Sequence, residues 1–217
     1  LTSIVSAQEA LERLKEGNHR FVASLGSHDN PLHYTRRVGL TKDQKPFAII
    51  LGCSDARVPA EIVFDQGLGD LFVIRVAGNI VAPSQVGSVE FAASRFGTRL
   101  VVVLGHSQCG AVLATLEQLQ QPAATQSQNL RSIVDRVRPS VEGLLNTELR
   151  HDLDALVSQA VRSNVSLSVN HLRYGSAVLE ELIRNEGLMV VGAEYSLETG
   201  EVEFFDTGLT GVATLES

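Results

Sequence analysis

Cys53 and Cys109 are the only cysteines in the 217-residue chain, and each stands just beyond an apolar run of strand length. Phe47–Leu51 leads into Gly52-Cys53-Ser54-Asp55-Ala56-Arg57, and Leu100–Leu104 leads into Gly105-His106-Ser107-Gln108-Cys109-Gly110. Two thiolates and an imidazole are the sulfur and nitrogen donors that suit zinc. His106 and Cys109 are three residues apart, so one turn can present both side chains to one ion. Cys109 also precedes a helical pattern, and the positive end of a helix dipole favours the thiolate. A closed structural zinc site takes four protein ligands, whereas three ligands and one open position is the catalytic arrangement. The chain has no third cysteine to close the site.

Asp55 and Arg57 complete the constellation. Cys53, Asp55 and Arg57 alternate, so an extended backbone would place all three side chains on one side. Arg57 can clamp Asp55 with a two-pronged charge-assisted hydrogen bond, keeping the carboxylate ionised and aimed. Each residue also has a plain reading: two buried thiols or one disulfide, a core histidine, a structural ion pair. Their coincidence at two strand ends favours the site, because sites in open α/β sheets form outside the carboxyl ends of strands.

The elements that must position these residues are legible as an alternation. Phe47–Leu51, Leu71–Val76 and Leu100–Leu104 read as buried parallel strands. Between them lie helical patterns at Pro59–Phe64 and Val86–Phe96, and another follows Cys109 from Gly110 to Leu119. Ser6-Ala7-Gln8-Glu9 has the form of a capping box and opens a helix from about Ala7 to Ala23. Its single apolar stripe suits either its own domain or a partner subunit. Gly26, Asn30 and Pro31 mark a loop, as does the polar stretch Gln120–Asn129. Further helical patterns cover Leu130–Leu145, with a break expected near Pro139, and Asp152–Asn185, with a break expected near Arg173–Gly175. Leu188–Tyr195 and Val202–Phe205 read as a late hairpin. The expected fold is α/β: a mostly parallel central sheet of about four strands plus an antiparallel edge strand, flanked by helices. Residues 1–217 read as one domain, with 1–35 as an N-terminal helical arm.

Composition narrows the function classes. Hydrophobic residues make up 44% and charged residues 20%, an ordinary globular balance that argues against disorder. A net charge of −7, with only the isolated pair Arg36-Arg37 as a basic feature, argues against a nucleic-acid partner. No apolar run approaches the ~20 residues of a membrane-spanning helix. The first residue is Leu1 rather than Met, which reads as an upstream stretch removed or left out. No signal segment stands at the start, so the expected compartment is the cytoplasm, with the periplasm or an organelle open if a targeting segment has been removed.

The two motifs resemble those of the β-class carbonic anhydrases. The family's C-x-D-x-R matches Cys53 to Arg57 and its H-x-x-C-G matches His106 to Gly110. The similarity runs from about Ser6 to Phe205 and includes the stretch Glu61–Arg75. The resemblance implies Zn2+ as cofactor on Cys53, His106 and Cys109, Asp55 and Arg57 as catalytic residues, and reversible hydration of carbon dioxide to bicarbonate and a proton. It implies a homodimer or a larger assembly such as a tetramer, with the N-terminal arm crossing to the neighbour and the active sites at the interface. Family substrate-pocket positions fall on Gln44, Phe72, Phe91 and the backbone of Gly110; plant-type members usually carry Tyr where Phe91 stands. A non-catalytic bicarbonate pocket found in some members matches here at Arg75 and Tyr195, but its Trp is replaced by Ile50. That replacement points to an open site with Asp55 paired to Arg57. Two thiolates formally neutralise Zn2+, so a water bound there should be less acidic than under three neutral imidazoles, and the expected optimum is mildly alkaline.

Three rival functions remain from the sequence. One is hydrolysis of a carbon dioxide analogue, carbonyl sulfide or carbon disulfide, with the same ligands. The second is a non-catalytic, zinc-stabilised binding protein, against which the open coordination position and the Asp55–Arg57 pair argue. The third is a dithiol redox protein, against which the lack of a C-x-x-C motif argues.

Overall fold

A computed structural model of the chain describes residues 4–23, 40–41, 43–121 and 127–206. Arg36-Arg37, the loop around Gly26–Pro31 and the rest of the 1–35 arm beyond residue 23 lie outside the described residues. Five strands form one sheet: β1 (Ala48–Gly52), β2 (Leu71–Arg75), β3 (Leu100–His106), β4 (Met189–Tyr195) and β5 (Val202–Asp206), in the order β2-β1-β3-β4-β5. β2, β1, β3 and β4 pair in parallel, and β5 joins β4 antiparallel at the edge.

β1 and β3 are buried along their whole length because helices cover both faces of the sheet. The strand period of two sorts their side chains. Ala48, Ile50, Leu100, Val102 and Leu104 enter one core, and Ile49, Leu51, Val101 and Val103 enter the other. The first face is covered by α1 (Ala7–Val22) and the single turn α2 (Ala60–Val63). The Ser6 side chain accepts the Glu9 N–H at 3.2 Å, as the capping pattern predicts. Within the chain α1 packs on its own sheet: Ala7, Ala10, Leu11 and Leu14 are buried in that core. Gly17 lets the helix approach, since a Cβ there would lie 1.8 Å from the Phe64 carbonyl oxygen. Asn18 then ties α1 down by donating to the Val63 and Gly200 carbonyls and accepting the Val202 N–H.

The opposite face is covered by α3 (Pro83–Arg95), α6 (Leu153–Tyr174) and α7 (Ala177–Glu186). The break between α6 and α7 falls at Gly175-Ser176, where Ser176 caps the new helix by accepting the Leu179 N–H. A third core lies beyond the carboxyl ends of β1 and β3, built by α4 (Gly110–Gln120), α5 (Gln128–Val141) and α6. Pro139 does not break α5 where expected. It sits in the last turn, and the chain tightens into a 3-10 turn over Glu142–Asn146 only after Val141. Among the described residues no helix is long and apolar enough to cross a membrane.

β1 is followed by β2 on one side, and the chain then crosses to β3 on the other. The carboxyl ends of β1 and β3 are therefore a topological switch point, where the connections diverge and leave a crevice. Cys53 leaves one of these ends and His106 occupies the other.

Candidate metal centre

The switch point brings together Cys53 Sγ, Cys109 Sγ and a ring nitrogen of His106, all within 4.8 Å of one another. All three residues are buried, and both cysteines are free thiols, which removes the disulfide reading. His106 is 0% exposed, and its Nδ1 lies 2.9 Å from the Ser107 carbonyl oxygen. A carbonyl can only accept, so Nδ1 carries the proton and Nε2 presents its lone pair. That Nε2 is buried and has no hydrogen-bond partner. An orphaned buried imidazole nitrogen beside two thiols is the donor set that a zinc ion satisfies, and the residues present fit that metal.

The turn from β3 into α4 makes the spacing work. Gln108 adopts a left-handed backbone with φ 55°, and Cys109 follows as the N-cap residue of α4. The backbone N–H groups of Ala111 and Val112, in the first helical turn, favour the charged form of Cys109. The two cysteines share a proton. The Cys53 thiol is pulled down, first by its hydrogen bond with Cys109 and also by the Gly78 N–H, against the opposing effect of burial. The Cys109 thiol is raised by the same hydrogen bond and by burial.

Asp55 lies beside this cluster with Oδ2 3.8 Å from His106 Nε2. Arg57 grips it with Nε on Oδ1 at 2.9 Å and a terminal nitrogen on Oδ2 at 2.7 Å. The pairing does not arise from an extended backbone, as the alternation suggests. The Asp55 side chain accepts the Arg57 N–H at 3.0 Å, and its carbonyl accepts the Val58 N–H at 3.0 Å. An aspartate that bonds its own backbone two residues on forms an Asx turn, which folds the guanidinium back onto the carboxylate. The Arg57 hydrogen bonds hold the Asp55 carboxyl well below the usual carboxylate range. Arg75, at the end of β2, donates to the Cys53 carbonyl at 3.0 Å and to the Asp55 carbonyl at 2.6 Å. It pins the loop that carries both residues, a role its sequence position does not reveal.

The other sequence-derived positions divide. Gly110 is the first residue of α4, adjoining Cys109. Gln44, Phe72 and Phe91 lie elsewhere in the same chain. Gln44 precedes β1 and lines a cleft with Arg95, Phe96 and Thr98. Phe72 is the second residue of β2 and packs in one aromatic cluster with Phe91 and Phe96. These residues gather toward the ends of the strands where the chain enters. β1 alone separates its two ends by about 16 Å at ~3.3 Å per residue. Ile50 is buried within β1, and Tyr195, at the end of β4, packs against Phe21. The Gly78 N–H, 3.3 Å from the Cys53 sulfur, is a further contact to the cluster that sequence reasoning missed. Its one visible signal is Gly78-Asn79 placed just after a strand.

The carbonic anhydrase family matches residues 48–202. Carbonic anhydrase 2 of Mycobacterium tuberculosis is 41% identical over 197 residues, covering 91% of this chain and 92% of the relative. The carbonic anhydrase of Mycolicibacterium smegmatis is 40% identical, covering 89% of this chain and 91% of the relative. Among solved structures, a β-carbonic anhydrase of Aspergillus fumigatus superposes with a TM-score of 0.71 at 26% identity, covering 92% of this chain and 90% of that one. One of two tetrameric β-carbonic anhydrases of Sordaria macrospora has the same fold, with a TM-score of 0.70 at 24% identity over 88% of this chain and 93% of that one. Sequence motifs, sheet order and relatives matched over most of their length converge on one family, and this chain is a member of the β-class carbonic anhydrases.

Proposed function

We propose that the chain catalyses the reversible hydration of carbon dioxide to bicarbonate and a proton, with Cys53, His106 and Cys109 holding a zinc ion. The observation that carries this reading is the convergence of three buried zinc-type donors within 4.8 Å, with an ionised carboxylate fixed beside them. Zinc, when bound, supplies the Lewis acidity that makes water a nucleophile near neutral pH.

The residues of the chain do the remaining work. Cys53 and Cys109 bring negative charge that balances the ion, and the Ser107 carbonyl locks the His106 ring in the tautomer that ligates. Asp55 is engaged by Arg57, so the side chains that would hold the zinc are those of Cys53, His106 and Cys109. As an ionised acceptor, Asp55 takes a hydrogen bond from the attacking water at Oδ2 and fixes its orientation toward the carbon atom. Arg57 keeps that carboxylate charged. We assign the Gly110 N–H, in the first turn of α4 at the positive end of that helix, to the developing negative charge of the product.

The working form in this reading is a homo-oligomer. Gln44 and the aromatic cluster of Phe72, Phe91 and Phe96 stand at the far end of the sheet from their own metal centre, and Phe91 is 54% exposed. We assign them to the substrate pocket of a neighbouring copy, and the tetrameric description of the Sordaria proteins supports assembly. Zinc analysis and stopped-flow carbon dioxide hydration on one sample test the whole reading. About one zinc per chain with rapid hydration is expected. Turnover of carbonyl sulfide or carbon disulfide in preference to carbon dioxide would replace the assigned substrate, and no zinc at all would end the reading.

A further inference from the structure

The turn after β2 carries a feature that the chemistry above does not use. Ala77–Asn79 form a 3-10 turn in which Gly78 has φ 71° and Asn79, a non-glycine residue, has φ 43°. Gly78 has no room for a side chain, since a Cβ would stand 3.0 Å from the Ala111 Cβ in a backbone region that disfavours it anyway. Asn79 is 1% exposed and its side-chain Nδ2 has no partner. Strained backbone and an unsatisfied buried amide both cost stability, and such a conformation persists only where its surroundings over-determine it.

The surroundings are two polar side chains of α6. Asn164 Nδ2 donates to the Gly78 carbonyl at 2.8 Å, and Ser168 Oγ donates to the Asn79 carbonyl at 3.0 Å. The donors are four residues apart on one helix face and are 1% and 4% exposed. They grip consecutive carbonyls of the turn whose Gly78 N–H points at the Cys53 sulfur, 3.3 Å away.

We infer that Asn164 and Ser168 are positioning residues for the metal centre: from α6 they fix the 78–79 turn so that the Gly78 N–H is delivered to the Cys53 thiolate. A hydrogen bond donated to a metal thiolate draws electron density from the sulfur and fixes its direction, so this strut sets both the softness and the grip of one ligand. The inference rests on the zinc reading of Cys53, His106 and Cys109, and its test separates the two.

Cobalt(II) replaces zinc in the wild-type protein and in the variants Asn164→Ala, Ser168→Ala and Leu172→Ala. Leu172 is buried on α6 in the core behind the sheet, and no hydrogen bond from its side chain reaches the turn. The sulfur-to-cobalt charge-transfer band should move to longer wavelength in Asn164→Ala and Ser168→Ala, as the thiolate becomes richer in electrons. Zinc release to a chromogenic chelator should quicken about 10-fold or more in both. Leu172→Ala should lower the melting temperature without moving the band. Ser168→Ala removes one hydroxyl and keeps the test alive if Asn164→Ala does not fold. A band and release rate unchanged in Ser168→Ala and in any folded Asn164→Ala overturn the inference, as does an equal shift in Leu172→Ala. A wild-type protein that binds neither cobalt nor zinc overturns the metal reading itself, and the inference falls with it.

Discussion

Asp55 Oδ2 and His106 Nε2 face each other across 3.8 Å, and the imidazole nitrogen has no hydrogen-bond partner. The gap is too long for a hydrogen bond, so neither group satisfies the other. The carboxylate is already held by Arg57, and the imidazole lone pair is left for a metal.

Replacing Asp55 with Ala or Asn should leave zinc content at the wild-type level and lower kcat about 100-fold or more, the scale of losing a positioned acid–base or orienting group. Stopped-flow hydration beside metal analysis reads both quantities. Activity within a few-fold of wild type would remove Asp55 from the mechanism.

Cys53→Ser, Cys109→Ser and His106→Ala should each lose tightly held zinc, and chelation should silence the wild-type enzyme until zinc is restored. The mutual hydrogen bond of the two thiols lowers Cys53 and raises Cys109, so the pair shares one proton. Zinc binding to the apoprotein at pH 7 should therefore release about one proton from the cysteine pair. Release of about two, measured in weak buffer, would show that the pair holds both protons without metal.

Glu194, the β4 partner of Gly105 beside His106, supplies a pH signature in stability. Burial raises its carboxyl pKa, and Arg162, 3.4 Å away, only partly offsets this. For a raised carboxyl, the stabilising contribution is complete below the ordinary pKa of about 4.3 and is lost as pH rises through the folded-state value. Glu194→Gln should therefore raise the melting temperature at pH 7 and leave it nearly unchanged at pH 4. An equal gain at both values would trace the effect to something other than titration.

Gly17→Ala would force a Cβ to within 1.8 Å of a backbone oxygen, where no side-chain motion can relieve it. The expected cost is about 3 kcal/mol or more, at the upper end of overpacking effects. At about 2–4 °C per kcal/mol, the melting temperature falls by about 6–12 °C or more. A thermal melt near wild type would mean that α1 docks differently.

Asp55→Ala and Gln44→Ala should each be impaired alone yet complement when co-expressed. If each site takes Asp55 from one copy and Gln44 from the other, mixed dimers carry one intact site, giving about a quarter of wild-type activity for random pairing. No recovery would place Gln44 outside the neighbour's pocket.

Much of this protein is legible along the chain. The strands at Ile49–Leu51 and Val101–Leu104 declare themselves because both of their faces are buried, which writes continuous apolar runs into the sequence. The cap at Ser6 and the break at Gly175-Ser176 are local hydrogen-bonding events, so local residue types announce them. The proposed metal-ligand set is also a local matter, since cysteine and histidine at strand ends carry their chemistry with them. Tertiary structure decided the rest. Only the crossing of the chain over β1 brings Cys53 beside Cys109, and only packed coordinates turn Arg75, Gly78, Asn164 and Ser168 toward the loops that carry the site. Those contacts run through backbone N–H and C=O groups, which every residue possesses, so residue type cannot reveal them.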